Sequence, residues 1–307
     1  MSKPLVAVTG PTACGKTRRA VAVARAMGGE IVSADSRQIY RGMDVGTGKD
    51  LCEYGEVPYH MIDVAPAGYR YNLFEYIRGA SAAIDDIEAR GRRVIVCGGT
   101  GMYIEHLLRG IRLPEVPRNE ALRQSLGGLS LPELEKILAS MKRLHNSTDT
   151  DTVQRALRAI EIETYYNEHP DEAQAAHTPQ QRKAVVIGID LPRDERRRLI
   201  SERMRRRFDS EDMLGEVRRL IDSGVAPDDL IYYGLEYKFL TLHLLGKLSR
   251  TGMEQGLETA IHQFAKRQMT WFRGMERRGI KINWLPYDMP DDDFVAETIR
   301  LAEAYED

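Results

Sequence analysis

Apolar residues in the first hundred positions come in short unbroken runs, separated by longer stretches of mixed character. Leu5-Val6-Ala7-Val8 is one such run, residues 30–33 hold another around Ile31-Val32, and Arg93-Val94-Ile95-Val96-Cys97 is a third. Short apolar runs rich in β-branched residues predict strands buried on both faces. Between them, residues 18–27 predict a helix stopped by Gly28-Gly29. Residues 73–90 predict a second, with Phe74, Ile77, Ile84 and Ile87 on one side and Gly91 as its stop. Strand–helix alternation of this kind predicts an α/β fold, a parallel sheet with helices on both faces. Ligands of such sheets bind beyond the carboxyl ends of the strands. Three polar segments fall there, residues 10–17, 34–38 and 98–101, and they are expected to share one cleft.

The pattern then changes. Pro114 and Pro117 punctuate the chain after Arg112, and residues 119–168 read as helical. Leu134, Ile137, Leu138 and Met141 form one stripe; Val153, Leu157, Ile160 and Ile162 form another. Residues 169–181 are polar with two prolines and predict a loop. Residues 183–190 are β-rich and return the chain to the sheet, and the chain beyond Arg193 is helical apart from residues 280–285. The expected organisation is a core of residues 1–112 and 183–307, interrupted by a small all-helical insertion over 113–182.

Composition narrows the class. The chain has 307 residues, of which 42% are hydrophobic, ample for a core. Its net charge of −2 conceals an asymmetry: residues 193–207 carry eight arginines against Asp194, Glu195 and Glu202. Residues 266–281 are basic too, and the last twenty residues are acidic. Local basic faces on a near-neutral chain fit phosphate-rich partners, or simply solvated helix faces. Cys14, Cys52 and Cys97 lie far apart with no Cys-x-x-Cys pair. That argues against a disulfide framework or zinc site and fits a reducing cytoplasm. No apolar run approaches the length of a membrane span, so neither a membrane partner nor a non-cytoplasmic location is expected.

The most chemical segment is Gly10-Pro11-Thr12-Ala13-Cys14-Gly15-Lys16-Thr17, directly behind the first apolar run. It is the Gly-x-x-x-x-Gly-Lys-Thr spacing of a phosphate-binding loop (P-loop). The glycines turn backbone N–H groups inward, and the following helix N-terminus adds positive partial charge. Lys16 supplies a point charge, and the Thr17 hydroxyl suits Mg²⁺. Such a loop binds a di- or triphosphate without saying which bond breaks. Asp35, at the end of the second strand, can hold Mg²⁺, take a proton from a nucleophile, or cap the next turn with Ser36. Gly98-Gly99-Thr100-Gly101 permits close backbone approach by a ligand with a hydroxyl at hand, or forms a tight turn with Thr100 as a helix cap. Many phosphate-loop ATPases place an Asp at the end of the corresponding strand; its absence weakens motor and GTPase readings.

Five segments occur together: the phosphate loop, Ser33-Ala34-Asp35-Ser36-Arg37-Gln38-Ile39-Tyr40 with its continuation to Lys49, Tyr59-His60-Met61-Ile62-Asp63, Gly98-Gly99-Thr100-Gly101-Met102-Tyr103, and Ala265-Lys266-Arg267-Gln268-Met269-Thr270-Trp271-Phe272. In this order they resemble the tRNA dimethylallyltransferase (isopentenyltransferase) family over nearly the whole chain. The resemblance implies a P-loop-type parallel sheet and transfer of a dimethylallyl group from dimethylallyl diphosphate to N6 of adenosine 37, next to the anticodon of tRNA. It implies Asp35 as the base, with Thr100 and Lys16 beside the reacting groups. Residues 10–17 and Arg207 would hold the diphosphate, with Arg205 and Arg206 as competing neighbours of Arg207, and Mg²⁺ would sit at Thr17. The tRNA anticodon stem-loop would be met by Asp35, Ser36, Arg37, Gln38, Thr100, Arg123, Gln154, Arg155, Ala156, Leu157 and Arg158, and by the basic Lys266-Arg267-Gln268. On sequence alone, residues 154–158 read better as an ordinary amphipathic helix, with Leu157 buried and its arginine neighbours solvated. Departures from the family pattern are Arg37 for the usual Met, Gly234-Leu235-Glu236-Tyr237-Lys238 for Gly-Tyr-Lys-Glu, Ile261-His262 for Thr-Arg, and a shortened stretch over 208–216. They leave room for an adenylate dimethylallyltransferase, a small-molecule kinase or a non-catalytic RNA-binding relative. Two phosphate-rich ligands on one chain do not require a dimer, so a monomer is expected.

Overall fold

The computed structural model describes residues 3–111, 113, 115–144, 150–177 and 181–305. Arg112, Pro114, Pro179 and the last two acidic residues, all used above, lie outside them. The chain divides into two compact units, Met1–Arg109 with Gln181–Asp307, and Gly110–Gln180.

The first unit opens with β1 (Leu5–Thr9), α1 (Lys16–Met27), β2 (Gly29–Ser33), β3 (Tyr40–Arg41), β4 (Tyr59–His60), β5 (Ala65–Pro66), α2 (Leu73–Ala89), β6 (Arg93–Gly98) and α3 (Gly101–Arg109). The second unit holds α4 (Glu120–Ser125), α5 (Leu131–Met141), α6 (Val153–Glu168) and α7 (Pro170–His177). The chain re-enters the first unit through β7 (Ala184–Asp190). There follow α8 (Arg193–Ser210), α9 (Met213–Asp222), α10 (Pro227–Tyr233), α11 (Leu235–Leu244), α12 (Arg250–Arg277), β8 (Ile282–Pro286) and α13 (Asp291–Glu303).

Six strands form one all-parallel sheet in the order β4-β2-β6-β1-β7-β8; β3 and β5 pair separately. This is the α/β parallel sheet expected of the sequence. β1, β2 and β6 are buried at every position, as their unbroken apolar runs require. Val6, Val8, Ile31, Ile95 and Ile187 face α1 and α13 in one continuous cluster with Ala20, Val23 and Phe294. Each such aliphatic side chain contributes about 1.5–3 kcal/mol by leaving water. The chain passes from β1 across β6 to β2, so its direction of travel reverses beside β1. Register sets Thr9 opposite Gly98 and Ser33 opposite Cys97, so the carboxyl ends of β2, β6 and β1 finish level. Such a switch point is where a parallel sheet leaves a crevice.

The second unit has its own core of Leu134, Leu138, Ala156, Ala159 and Ile160, with Ile137, Met141 and Leu157 packed against it. Two expectations change here. The buried face of α6 is built on alanines, and Val153 is 42% exposed; counting bulky residues alone misplaced the stripe. Residues 170–177, expected to be loop, form α7. Pro170 opens that helix, where a proline has no hydrogen bond to lose, and Asp171 and Glu172 follow in its first turn. The rest of that expected loop, 178–180, is outside the described residues.

Candidate active site

Gly10 (φ 159°), Ala13 (φ 66°) and Gly15 (φ 75°) shape the loop after β1. No side chain caps the N-terminus of α1, and no acidic residue stands in its first turn. Its leading amides are therefore available to an anion. Pro11 and Cys14 are buried beneath the loop. Burial pushes the Cys14 thiol up despite nearby Lys16, which leaves it as filler. A Cβ at Gly10 would come within 2.8 Å of the Cys14 sulfur.

The three polar strand ends meet. The Thr100 amide donates to Ala34 O at 3.0 Å, and the Ser36 amide donates to Thr100 Oγ1 at 3.0 Å. A Cβ at Gly98 would fall 2.1 Å from Ala34 O, so only glycine lets β6 run this close to the β2 turn. Asp35 Oδ1 accepts the Arg37 amide at 3.0 Å and closes that turn. Gln38 takes no part in the surface of the cleft. It is buried, accepts from Ser33 Oγ at 3.0 Å and donates to Gly48 O at 3.4 Å.

The brace across these loops comes from far along the chain. Gln268 on α12 accepts the Thr12 amide at 2.8 Å and donates to Gly99 O at 3.0 Å. Its side chain thus ties the phosphate loop to the end of β6. Three residues on, Trp271 Nε1 donates to Glu105 at 3.1 Å, and its ring fills the space a Cβ at Gly101 would need. The sequence reading set Gln268 among RNA contacts; the structure engages its amide within the protein and leaves Lys266 and Arg267 exposed.

A cavity of about 60 Å³ lies in front of the loop. Thr12, Lys16, Arg203 and Arg207 give its lining polar groups; Ile200, Met204, Met213, Leu257, Ile261 and Phe264 give it apolar ones, and Asp35 and Arg37 also border it. Arg203 and Arg207 stand four apart on α8, one helical turn, and both approach the Asp50 carboxylate. Arg203 donates to Asp50 at 3.1 Å, and Arg207 lies 3.5 Å from it. Burial, then the adjacent Arg207, hold Arg203 below its usual pKa. Arg207 is buried; its Nε makes no hydrogen bond but lies 3.6 Å from Glu211 Oε2. Two neighbouring guanidiniums on the cavity lining suit an additional anion. Arg206 faces a neighbouring cleft with Lys16, Thr17, Asp50 and Glu53. Arg205 lines a separate outer pocket beside Arg197 and His262. Helical spacing alone carries the signal that selects Arg203 with Arg207. Among the described residues no group of three or more His, Cys, Asp or Glu is placed to hold a metal. Thr17, Asp50 and Glu53 are hard oxygen donors in one cleft, a set that fits Mg²⁺ only if phosphate oxygens complete its shell.

A second cleft of about 500 Å³ shares Arg37, Thr47, Leu235 and Phe264 with the first. Tyr40, Tyr71, Tyr103, Tyr232 and Tyr233 line it. These tyrosines come from separate parts of the chain, and no spacing in the sequence announced them.

In the second unit, Arg123 forms two hydrogen bonds to Glu161, at 2.6 and 2.8 Å. Arg158 donates to the same carboxylate at 3.1 Å and to Val116 O at 2.8 Å. Burial alone would raise the Glu161 carboxyl, but its bonds from Arg123 and Arg158 and the Asn119 amide prevail and lower it to about 2. Ala156 is fully buried and Leu157 half-buried in the helical core, while Gln154 and Arg155 are exposed. Arg155 pairs with Asp151 at 2.5 Å.

Comparison with known proteins then decides the family. Residues 38–275 match the IPP transferase family model, and residues 3–54 match that of isopentenyl transferase. The chain belongs to the IPP transferase family. It is 53% identical over 304 residues to tRNA dimethylallyltransferase 1 of Parabacteroides distasonis, covering 98% of each chain. It is 54% identical over 303 residues to tRNA dimethylallyltransferase 2 of Bacteroides fragilis, covering 96% of this chain and 98% of that one. Among solved structures, the tRNA delta(2)-isopentenylpyrophosphate transferase of Staphylococcus epidermidis superposes with a TM-score of 0.70 at 29% identity, over 98% of this chain and 99% of that one. A eukaryotic dimethylallyltransferase acting on tRNA shares the fold, with a TM-score of 0.81 at 21% identity, over 99% of this chain and 79% of that one. The IPP transferase phosphate loop thus borders a cavity lined by both cations and apolar side chains, which shares four lining residues with a tyrosine-lined cleft.

Proposed function

We propose that this enzyme transfers the dimethylallyl group of dimethylallyl diphosphate to N6 of the adenosine at tRNA position 37, beside the anticodon. The observation that carries the reading is the mixed lining of the cavity: cations for a diphosphate, aliphatic and aromatic side chains for a five-carbon tail, and Asp35 on its border. Lys16, the loop amides, Arg203 and Arg207 grip the diphosphate. Mg²⁺, held by Thr17 and the diphosphate's own oxygens, supplies further neutralisation of negative charge when bound. The acceptor base enters from the tyrosine-lined cleft, where aromatic faces suit a nucleobase taken out of its stack.

The exocyclic amine of adenine is a weak nucleophile because its lone pair is delocalised into the ring. As the bond from N6 to the allylic carbon forms, the bond from that carbon to the diphosphate oxygen breaks. The N6 proton passes to the Asp35 carboxylate, and pyrophosphate departs with its growing charge stabilised by Lys16 and the guanidiniums. The Arg37 amide on Oδ1 fixes how Asp35 presents its other oxygen. Thr100, locked to Ser36, keeps the β6 turn against that carboxylate's turn. On the tRNA side, Gln154 and Arg155 are the exposed members of the α6 segment available to the anticodon stem-loop. Arg123 and Arg158 shape that surface through Glu161. A tRNA acceptor fits work in the cytoplasm, and with both proposed substrate sites on one chain the reaction does not require a dimer, which fits a monomer.

The test supplies labelled dimethylallyl diphosphate and Mg²⁺ with either unmodified tRNA or AMP. Label in tRNA alone supports the reading. Label in AMP would make the enzyme an adenylate dimethylallyltransferase, and no transfer to either would overturn the prenyl reading. Asp35→Asn should lower turnover by roughly 10²–10⁴-fold while tRNA binding is retained, the size expected for loss of a general base. Unchanged turnover would reduce Asp35 to a turn-closing residue.

A further inference from the structure

Two positions at which this chain departs from the family pattern meet in space. Arg37, in place of the usual Met, donates from Nη1 to Glu236 Oε2 at 2.8 Å and from Nη2 to Tyr233 O at 3.3 Å. Its guanidinium lies 5.3 Å from the centre of the Phe264 ring. The two side chains are only 18% and 14% exposed. Glu236 stands in the first turn of α11, just after Gly234 (φ 76°) and Leu235 (φ 40°), a corner bent into the left-handed region. Both residues border the donor cavity, and Arg37 also borders the tyrosine-lined cleft. The backbone of Arg37 supplies the amide on Asp35 Oδ1.

We propose that Arg37 and Glu236 are a matched positioning pair that forms a net-neutral partition between donor tail and acceptor base. The proposal rests on the reading that the allylic tail occupies the first cavity. As the carbon–oxygen bond of an allylic diphosphate stretches, positive charge grows on the allylic carbon. A lone guanidinium in the partition would oppose that charge. A lone carboxylate in the same place would draw that charge off line. Paired, the two cancel, while their hydrogen bonds fasten the α10–α11 corner to the Asp35 turn. The other charged groups on this cavity, Lys16, Arg203, Arg207 and Asp35, already have roles toward the diphosphate and the acceptor. Replacing one partner of a low-exposure ion pair strands the other, whereas replacing both with neutral groups of similar size need not.

The experiment is a double-mutant cycle in steady-state transfer to tRNA, with thermal unfolding of every variant as the fold control. Transfer by the unmodified enzyme tests the underlying reading separately; the cycle tests the pair. Glu236→Gln should lower kcat by roughly tenfold, with the KM for dimethylallyl diphosphate little changed. Arg37→Met should likewise lower kcat with the KM for dimethylallyl diphosphate little changed. The double variant Arg37→Met/Glu236→Gln should recover kcat to within about threefold of the parent. If Glu236→Gln does not fold, the pair stands if the double variant turns over faster than Arg37→Met. A double variant as slow as the slower single one, or losses confined to KM, would overturn the proposal.

Discussion

Glu161 collects hydrogen bonds from Arg123 and Arg158, two side chains that sequence motifs point toward tRNA. Its folded pKa of about 2 lies below the ordinary glutamate value of about 4.3. A depressed acid stabilises the fold above its unfolded pKa, and that contribution fades as pH falls from about 4.3 toward 2. Glu161→Gln should therefore unfold at a lower temperature than the parent at neutral pH, and the gap should close by about pH 2. Melting curves of both proteins across that range check this, and a pH-independent gap would place the effect in shape rather than charge. Legibility at this scale followed backbone demand. Gly10 and Gly98 sit where a Cβ would collide, and Gly15 (φ 75°) where the backbone enters the left-handed region, so a short motif reveals them. Arg203 and Gln268 act through side chains on helices remote in sequence, where composition alone reads as a solvated face.

At the scale of elements, α12 is the unexpected organiser. Its resemblance motif reads from the sequence as a basic segment suited to RNA. In the fold, Gln268 and Trp271, three residues apart and so on one helical face, clamp the phosphate loop and both glycines that open α3. Gln268→Leu keeps the volume but leaves the Thr12 amide and Gly99 carbonyl without this partner. An unsatisfied buried group costs about 1–3 kcal/mol. The expected outcome is a lower melting temperature together with a several-fold higher KM for dimethylallyl diphosphate. An unchanged KM would mean the loop holds its shape unaided. The strands and long helices were legible because each repeats its pattern over five or more positions. The two-residue strands β3, β4 and β5 offer no period to read, and α7 was hidden behind a proline that opens a helix rather than ending one.

At the scale of the whole molecule, strand–helix alternation implied a parallel sheet and placed three polar loops at its carboxyl ends. The order β4-β2-β6-β1-β7-β8 explains why those loops meet: β2, β6 and β1 are neighbours although the sequence separates them by up to ninety residues. What the sequence could not reveal is the cavity itself, because its lining is gathered from α8, α9, α11 and α12, four helices spread along the chain. That wall sets Arg203 and Arg207 side by side at Asp50, with Glu211 3.6 Å from Arg207 Nε. Inorganic pyrophosphate, the product of the proposed reaction, should bind between them and raise the melting temperature, by about 2.7 kcal/mol of added stability at a hundredfold excess over its Kd. Differential scanning with and without pyrophosphate reads this directly, and Arg207→Ala should abolish most of the rise. On the proposed reaction, the two arginines that receive the donor would also be the last to let its remnant go.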